Sequence, residues 1–568
     1  MTAKPWVKFY KGYDDDIAVP DATLYELLAT AAREHPGNTG VFYMGRRITF
    51  ADLIHDIDTC ASAFSSYGIK AGDSVVLSLP NVPEAIIAFY ALNRIGARAV
   101  MTHPLSSPDE LKHYIAISES RWAVTVDMFY PVFAALAREA GLERLVITRI
   151  SGYLPGLMKA GFALTKGRKI APVPKDDPMV IHWGDFMATG AANPAGMYLR
   201  RIEPDDGAVV LFSGGTTNLP KGIELTSANF NALAVAIRAI AGLVPGDSVL
   251  AILPVFHGFG LGLCVHTTLT TAAQSILVPE FSTGNYIDNL IKHSPSYIAG
   301  VPTLFQALMR DPKFGKVRFD KLKGAFSGGD LLSADLKRRF DDAIMGQGSQ
   351  VELMEGYGLT ECVTACALSP RDAYRENSMG IPMPGMLVKV ADPTTGEELA
   401  YGTEGEFCVT GPTLMKGYLQ DPEATAETLR VHADGRTWLH TGDLGTMDAD
   451  GYLYFLGRMK RLVKVSGVSV YPLQVEQVLE SHPLVNRACV IGVPDDYQMN
   501  SIKAFIMLAD GSLGSDAIAA ELIAYCKEHL IKWAAPRSVE FRTELPMTRV
   551  GKIAYTELER EERAKLAP

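Results

Sequence analysis

Paired cysteines are missing from this sequence. Its seven cysteines are odd in number, and none belongs to a Cys-x-x-Cys pair. Most of them stand in apolar runs, as is typical of reduced thiols in the core of a cytoplasmic protein. The spacing therefore excludes a disulfide framework and does not indicate a zinc finger.

An excess of positive charge is missing as well. The 54 lysines and arginines are outnumbered by 64 aspartates and glutamates, which gives a formal net charge of -10. Because nucleic-acid phosphates are bound chiefly by clustered Lys and Arg, this balance excludes a nucleic-acid coat or a basic groove. A bound phosphate would have to be met by a few local groups.

The sequence also lacks a continuous apolar run of the kind that spans a membrane or directs secretion. Residues 1–20 carry three lysines and three consecutive aspartates, which a secretory signal would not. Residues 248–279 contain no Asp, Glu, Lys or Arg and are long enough to cross a bilayer. Pro254, three glycines and two histidines interrupt that segment, which favours a buried strand, loop, helix and strand.

What is present is an alternation of short β-branched runs with helical patterns. Residues 74–79 and 208–212 are such runs, and helical patterns follow them over 83–95 and 229–241. This order predicts βαβ units, hence an α/β fold with mainly parallel sheets covered by helices. Ligands of such folds bind at the loops that follow the strand ends.

The pattern changes after about residue 385. Short strands divided by Gly and Asp turns predict an antiparallel β subdomain there, and beyond Gly457 a basic stretch precedes a compact α+β segment. With 568 residues, the chain is too long for a single core. We predict a large N-terminal domain of several subdomains over residues 1–458 and a small C-terminal domain over 459–568.

A segment over residues 152–175 combines lysines and arginines with leucines and a phenylalanine. Such a composition indicates contact with an anionic membrane surface. A solvated surface insertion is the alternative, because long basic side chains cover apolar surface without any membrane.

A glycine- and hydroxyl-rich segment follows the predicted strand over 208–212. It reads Ser213, Gly214, Gly215, Thr216, Thr217 and continues to Lys221. Glycines let the backbone approach phosphate oxygens, hydroxyl groups donate to them, and the lysine adds positive charge. The Walker A spacing is absent, and an isolated cluster of this kind could equally form an ordinary turn.

Further motifs follow in a fixed order. They are Leu253–Gly258, Val301–Thr303, Ser327–Gly329, Gly356–Glu361, Gly405–Glu406, Gly411–Pro412, Thr441–Asp443, Gly457–Arg458 and Gly551–Lys552. From about Thr49 to Leu558 the ordered set resembles the adenylate-forming superfamily of acyl-CoA synthetases, peptide-synthetase adenylation domains and beetle luciferases. It is most similar to the medium- or long-chain fatty acyl-CoA synthetases.

The resemblance implies a site for ATP. Tyr357 would lie against the adenine with Gly329 at its edge, while Asp443 and Arg458 would hold the ribose. Thr360 would contact the α-phosphate, and the remaining phosphate contacts would come from Ser213, Gly214, Gly215, Thr216, Thr217 and Lys221. Thr216 and Glu361 would hold Mg2+, a hard cation that prefers oxygen ligands.

The resemblance also implies catalytic residues in two states of a mobile C-terminal domain. Lys552 would bridge the substrate carboxylate and the α-phosphate during adenylation, and Lys464 would serve thioester formation with coenzyme A. Lys460 would be the hinge, and His257 would gate the passage between the acyl pocket and the thiol. As alternatives, the three lysines would be surface charges and His257 a core histidine.

The function implied is an ATP- and Mg2+-dependent ligase that adenylates a carboxylic acid, releases pyrophosphate and passes the acyl group to coenzyme A. The acyl pocket would draw on Phe256, Gly258, Thr303, Cys362, Thr364 and Ala365. No Asp or Arg stands clearly in these stretches to pair with an ammonium group, so an apolar, fatty acyl chain is favoured. The alternatives are an acyl-AMP ligase that loads a carrier protein, an aryl-acid CoA ligase and a silent binding protein. A homodimer and a cytoplasmic location, with peripheral membrane contact, complete the expectations.

Two departures from the family pattern stand out. Asn218 replaces the usual glycine of the phosphate loop, and asparagine tolerates a left-handed backbone. Met499 and Asn500 replace a usual Gly-Glu pair, which puts the expected contacts of the C-terminal domain in doubt.

Overall fold

The computed structural model describes residues 4–174, 176–194, 201–213, 219–280, 282–495, 498–547 and 553–566. Within these ranges the chain forms two large mixed sheets, an antiparallel sheet, and a small α+β unit near the C-terminus. The predicted fold class is confirmed.

The first large sheet has nine strands, six of which are mutually parallel. In spatial order they are Ile381–Pro382, Ala367–Leu368, Leu353–Tyr357, Gly324–Ser327, Tyr297–Gly300, Ser248–Ala251, Gln274–Leu277, Thr39–Tyr43 and Arg46–Thr49. The short strands at the two edges run antiparallel to their neighbours.

The second large sheet has eight strands and again a parallel centre. In spatial order they are Gly417–Tyr418, Gly222–Thr226, Gly207–Phe212, Arg98–Met101, Ser74–Ser78, Trp122–Val126, Arg144–Thr148 and Val180–His182. Each of the first two strands runs antiparallel to the strand that follows it in this order, so the chain reverses between Phe212 and Gly222.

Helices cover both sheets, and several begin at capping boxes. Thr49 and Asp52, and likewise Thr226 and Asn229, exchange side-chain and backbone hydrogen bonds at the helix starts. The α-helices are Leu24–Glu34, Phe50–Ser66, Pro83–Arg94, Pro108–Ser118, Tyr130–Ala140, Gly156–Leu164, Trp183–Ala192, Ser227–Ala241, Thr268–Thr270, Thr283–His293, Pro302–Arg310, Ala334–Met345, Pro422–Thr428, Pro472–Glu480, Asp516–His529 and Tyr555–Leu566.

The largest hydrophobic core lies between the two sheets. Alternate residues of one strand contribute to different cores: Val249 and Ala251 belong to the central cluster, whereas Leu250 packs in a second cluster on the opposite face. This follows from the period of two along a strand, and it explains why the central strands are apolar throughout.

The charge-free segment over 248–279 is part of this central core. It forms the strand Ser248–Ala251, the π-helix Phe259–Thr267 and the strand Gln274–Leu277, as its interruptions predict. In the described part of the chain, no helix has both the length and the apolar character that crossing a membrane requires.

The antiparallel sheet contains Leu387–Ala391, Gly405–Thr410, Thr437–Met447, Leu429–Val431 and Leu453–Arg458. Beyond it, the hairpin Val463–Val465 and Val468–Val470 precedes a sheet of Val485–Asp495, Met499–Leu508 and Ser538–Phe541. Two hydrophobic clusters consist only of residues from 463 onward. This separate packing is what a small C-terminal domain requires, although the boundary at 458/459 stays a prediction.

Candidate active site

A cleft of about 2550 Å³ opens where the carboxyl ends of the parallel strands meet the C-terminal unit. Both parts of the chain line it, from Met101 to Arg458 on one side and from Arg461 to Arg560 on the other. Eight of the predicted site residues lie in its wall: Ser213, His257, Gly329, Tyr357, Thr360, Glu361, Asp443 and Arg458.

Strand ends bring several of these residues together. Ser213 follows the strand Gly207–Phe212, Gly329 lies just beyond Gly324–Ser327, and Tyr357 ends Leu353–Tyr357. The last two strands are parallel neighbours, so their carboxyl ends lie at one edge of the sheet. Gly329 has φ +83°, a left-handed conformation that favours glycine.

A tyrosine, an aspartate and an arginine form the polar end of the cleft. The Tyr357 hydroxyl donates to Asp443 Oδ2 at 2.8 Å, and Arg458 Nε lies 3.3 Å from Asp443 Oδ1. Asp443 and Arg458 are cross-strand partners, which fixes their proximity. Burial, together with the neighbouring Asp443 carboxylate, raises the pKa of the Tyr357 phenol well above its ordinary value. The phenol therefore stays neutral and can donate.

Glu406 holds the part of the strand Thr437–Met447 that carries Asp443. Its carboxylate accepts the Gly442 N–H at 2.8 Å and bonds the Nδ1 of His440 at 2.7 Å. The Thr441 hydroxyl accepts the Asp443 N–H at 3.1 Å and donates to the Phe407 carbonyl. The aspartate is thus placed by a strand-to-strand network and not by a flexible loop.

A second polar group surrounds Glu361. The Tyr418 hydroxyl donates to Glu361 Oε1 at 2.9 Å, and the Lys221 ammonium lies 4.5 Å from the centre of the Tyr418 ring. Burial raises the pKa of Glu361, against the lowering effects of hydrogen bonds and of the Arg458 charge. A carboxylate with few charged neighbours in a cleft fits Mg2+, which is usually held by one or two carboxylates together with substrate phosphates.

Most of the predicted phosphate loop lies outside the described residues, namely Gly214, Gly215, Thr216, Thr217 and Asn218. Its two ends are described and meet. The Ser213 N–H donates to the Lys221 carbonyl at 3.1 Å, and the Lys221 N–H donates to the Ser213 hydroxyl at 3.0 Å. The two described ends of this segment are therefore held together.

His257 is exposed in the wall of the cleft, which rules out the alternative of a buried core histidine. Its Nδ1 accepts the Phe259 N–H at 3.2 Å, at the start of the π-helix Phe259–Thr267. The next residue, Gly258, packs so closely on the segment after Glu361 that a Cβ would lie 1.7 Å from the Val363 carbonyl oxygen. Only glycine allows this approach.

Apolar side chains continue the wall of the cleft. Among them are Ile237, Phe256, Leu263, Phe326, Ala365 and Met379. Of the other residues expected around the acyl chain, Thr303 and Thr364 also line the cleft, whereas Cys362 is fully buried behind it. Arginines also line the cleft, at Arg310, Arg338 and Arg339.

The predicted lysines of the C-terminal unit are placed differently. Lys464 is exposed, donates to the Ser469 hydroxyl at 2.6 Å, and is not among the described residues that line the cleft. Lys460 lies on the exposed turn Met459–Arg461. Lys552 lies outside the described residues, but the adjacent Ile553 lines the cleft and is bridged to Met547.

The departure at Asn500 has a structural consequence. Its side-chain amide donates to the Lys464 carbonyl at 3.0 Å, so it fastens the hairpin that carries Lys464. Met499 has φ +66°, a conformation that costs free energy for a residue with a side chain. A glycine at this position would avoid that cost.

Sequence reasoning missed Tyr418 and His440 as contributors to the site. Tyr418 follows a glycine in a short strand that no motif of the predicted set covers. His440 could have been noticed only as a polar residue in an otherwise apolar strand, a pattern that indicates a buried network. Glu406 belongs to the predicted motif set, but no role was predicted for it.

Comparison with known proteins places this architecture in a defined class. The family model "AMP-binding enzyme" matches residues 28–419, and "AMP-binding enzyme C-terminal domain" matches residues 474–552. The chain belongs to the AMP-binding enzyme family of adenylate-forming CoA ligases. The predicted family and the predicted acid–thiol ligase class are confirmed.

Curated relatives match over nearly the full length. The long-chain-fatty-acid–CoA ligase of Bacillus subtilis is 31% identical, and that of Salmonella typhimurium 32%, each covering 99% of this chain and 99% of the relative. A feruloyl-CoA synthase of an Amycolatopsis species is 30% identical over 93% of this chain and 97% of its own.

Solved structures share the fold. ATP-bound MatB from Rhodopseudomonas palustris has a TM-score of 0.81 at 25% identity, with 95% of this chain and 99% of that chain covered. An anthranilate CoA ligase in complex with anthranoyl-AMP has a TM-score of 0.83 at 24% identity, with 97% and 99% covered.

Proposed function

We propose that the protein is a fatty acyl-CoA ligase. It would use ATP to convert a medium- or long-chain fatty acid to its acyl-AMP with release of pyrophosphate, and then pass the acyl group to coenzyme A with release of AMP. The observation that carries this proposal is the cleft itself, in which the polar group of Tyr357, Asp443 and Arg458 adjoins an apolar wall. The names of the full-length relatives support the same substrate class.

In the first step the two reacting groups are both anionic, so positive charge close to them lowers the barrier. Asp443 accepts hydrogen bonds from the ribose hydroxyls, and Tyr357, held by that carboxylate, lies against the base. Lys221 and Lys552 supply local positive charge to the phosphates and the attacking carboxylate. Glu361, with Thr216, would hold Mg2+, which would neutralise charge on the leaving pyrophosphate.

In the second step the thiol must reach the acyl carbonyl after pyrophosphate has left. We propose that the domain over 459–568 turns about Lys460 so that the hairpin carrying Lys464 replaces the face carrying Lys552. Ile553 lines the cleft and Lys464 does not. This supports the proposal that the C-terminal domain in this structure is oriented for adenylation.

A further proposal concerns contact of the enzyme with a membrane. The helix Gly156–Leu164 would contact an anionic membrane surface, because Leu157 and Leu164 are 90% and 63% exposed beside the basic turn Lys166–Lys169. A cytoplasmic location and a homodimer stay predictions.

The proposal is tested by measuring AMP release from ATP with unbranched acids of graded length and with an aryl acid such as ferulate, each with and without coenzyme A. Fatty acids turned over in a manner dependent on coenzyme A would support it. Faster turnover of the aryl acid would instead establish an aryl-acid CoA ligase. The similarity of this chain to the feruloyl-CoA synthase is the reason for including that acid. If the acyl-AMP forms but coenzyme A does not increase the release of AMP, transfer of the acyl group to a carrier protein would be indicated.

A further inference from the structure

The antiparallel sheet holds a cysteine and two histidines that the proposed reaction does not use. Cys408 on the strand Gly405–Thr410 pairs across the sheet with His440 on Thr437–Met447, and His432 lies in the turn between Leu429–Val431 and that strand. The sulfur and one ring nitrogen of each histidine all lie within 4.8 Å of one another. Cys408 is fully buried and His440 is 7% exposed.

Both ring nitrogens of His440 have partners in the sheet. Its Nδ1 bonds the Glu406 carboxylate at 2.7 Å, and its Nε2 lies 2.9 Å from His432 Nε2. A carboxylate on the far nitrogen is the usual support of a metal-binding histidine, because it orients the ring and raises its basicity. Glu406 therefore prepares His440 to be a ligand.

The space and the charge also suit a cation. A Cβ at Gly396 would lie 3.2 Å from His432 Nε2, so glycine leaves room beside this nitrogen. The Cys408 thiolate and the Glu406 carboxylate would supply two negative charges. Lys389, the cross-strand partner of Cys408, and Arg430 add positive charge near Cys408 and His432, and the Trp438 ring, 4.4 Å from the Lys389 ammonium, takes up part of the lysine charge.

We propose that Cys408, His432 and His440 form a site for a zinc-class divalent cation, with water as the fourth ligand. One thiolate and two imidazoles suit Zn2+ and not Mg2+. Tetrahedral coordination sets the ligand atoms about 3.3–3.6 Å apart. The two Nε2 atoms, 2.9 Å apart, lie within a few tenths of an ångström of this spacing. Cys408 Sγ lies 3.7 Å from His440 Nδ1 and 3.9 Å from Nε2, so the thiol would have to rotate towards Nε2 to share an ion with it.

The site would stiffen the strand that carries Asp443. Glu406 connects the proposed metal site to this strand, since one of its oxygens bonds His440 and the other accepts the N–H of Gly442. The metal would be structural, because no substrate-facing group of the cleft is among its ligands.

Metal binding itself tests the proposal, without reference to ligase activity. The chelator-treated full chain is titrated with Co2+, and we expect one equivalent to produce a thiolate-to-cobalt charge-transfer band that Zn2+ then abolishes by displacement. Cys408→Ser should remove the band, His432→Gln should weaken Co2+ binding about tenfold or more, and Cys489→Ser, at a buried thiol elsewhere, should leave it unchanged.

Several results would overturn the proposal. They are no charge-transfer band in the wild type, a band that persists in Cys408→Ser, or a band that Cys489→Ser removes. His432 lies in a half-buried turn, so its variant should fold even if Cys408→Ser does not. Unchanged Co2+ affinity in His432→Gln would leave the histidine pair as a hydrogen-bonded contact without a metal.

Discussion

At the scale of single residues, two buried side chains that are two positions apart in sequence line the cleft but make different contacts. Tyr357 presents its hydroxyl to Asp443, whereas Glu355, 4% exposed, accepts the Leu332 N–H at 3.0 Å. Burial raises the pKa of Glu355 to about 8. A carboxyl group that is neutral at pH 7 can pack under the site without a counter-ion.

Replacing Tyr357 by Phe should raise the KM for ATP about tenfold, because a hydrogen bond to a charged group contributes on the order of 1.5 kcal/mol. The ring against the base is retained, so adenylation itself should persist. ATP dependence of AMP release measures the effect. Tyr525→Phe, which removes a hydroxyl bonded only to Ser481 among described partners, is the control. Equal KM values in the two variants would remove Tyr357 from nucleotide binding.

Replacing Glu355 by Gln should make stability less dependent on pH. The folded-state pKa of about 8 lies above the unfolded value of 4.5, so the wild type loses stability as pH rises between them. One such proton contributes a slope of at most about 1.4 kcal/mol per pH unit. Thermal unfolding at pH 5 and pH 8 should show the variant gaining stability relative to the wild type at the higher pH. A constant difference between the two proteins would contradict the shift.

At the scale of elements, the helix Gly156–Leu164 exposes leucine side chains that no other part of the described chain covers. Phe162 packs against the main core, which anchors the helix, while Leu157 is 90% exposed. A helix anchored on one face with apolar residues in solvent and basic residues nearby is suited to lie on an anionic bilayer.

Leu157→Asp should therefore reduce co-sedimentation with vesicles that contain phosphatidylserine, since it places a carboxylate against the lipid. Leu513→Asp, at a 67% exposed leucine in the C-terminal unit, should have no effect. Binding that does not differ between the variants, or that is absent in the wild type, would leave the helix as a solvated insertion.

At the scale of the whole molecule, the proposed division of labour between the two reactions would depend on which face of the C-terminal unit meets the cleft. Ile553 and Tyr555 line it, whereas Lys464 does not. Arg461 joins the two regions of this unit, because it pairs with Glu476 at 2.6 Å and its guanidinium lies 4.5 Å from the Tyr555 ring. The unit can then move as one body.

Lys552→Ala should abolish adenylate formation yet leave transfer from preformed acyl-AMP to coenzyme A largely intact. Lys464→Ala should show the reverse. Separate assays of the two half-reactions measure the split, and Lys527→Ala, on the helix Asp516–His529, is a matched control. Equal loss of both half-reactions in either variant would refute two alternating faces.

The sequence determined the fold class and pointed to eight residues that line the cleft, because both depend on local patterns. Apolar runs with period-two burial specify strands, and the turn residues that follow them, such as Gly329 and Tyr357, inevitably gather at the carboxyl edge of a parallel sheet. Contacts between distant strands were decided by the tertiary structure alone. No spacing shows that Tyr418 reaches Glu361, that Glu406 supports both His440 and Gly442, or that Cys408 meets His432. Those contacts depend on strand order and register, which side chains from many segments fix together.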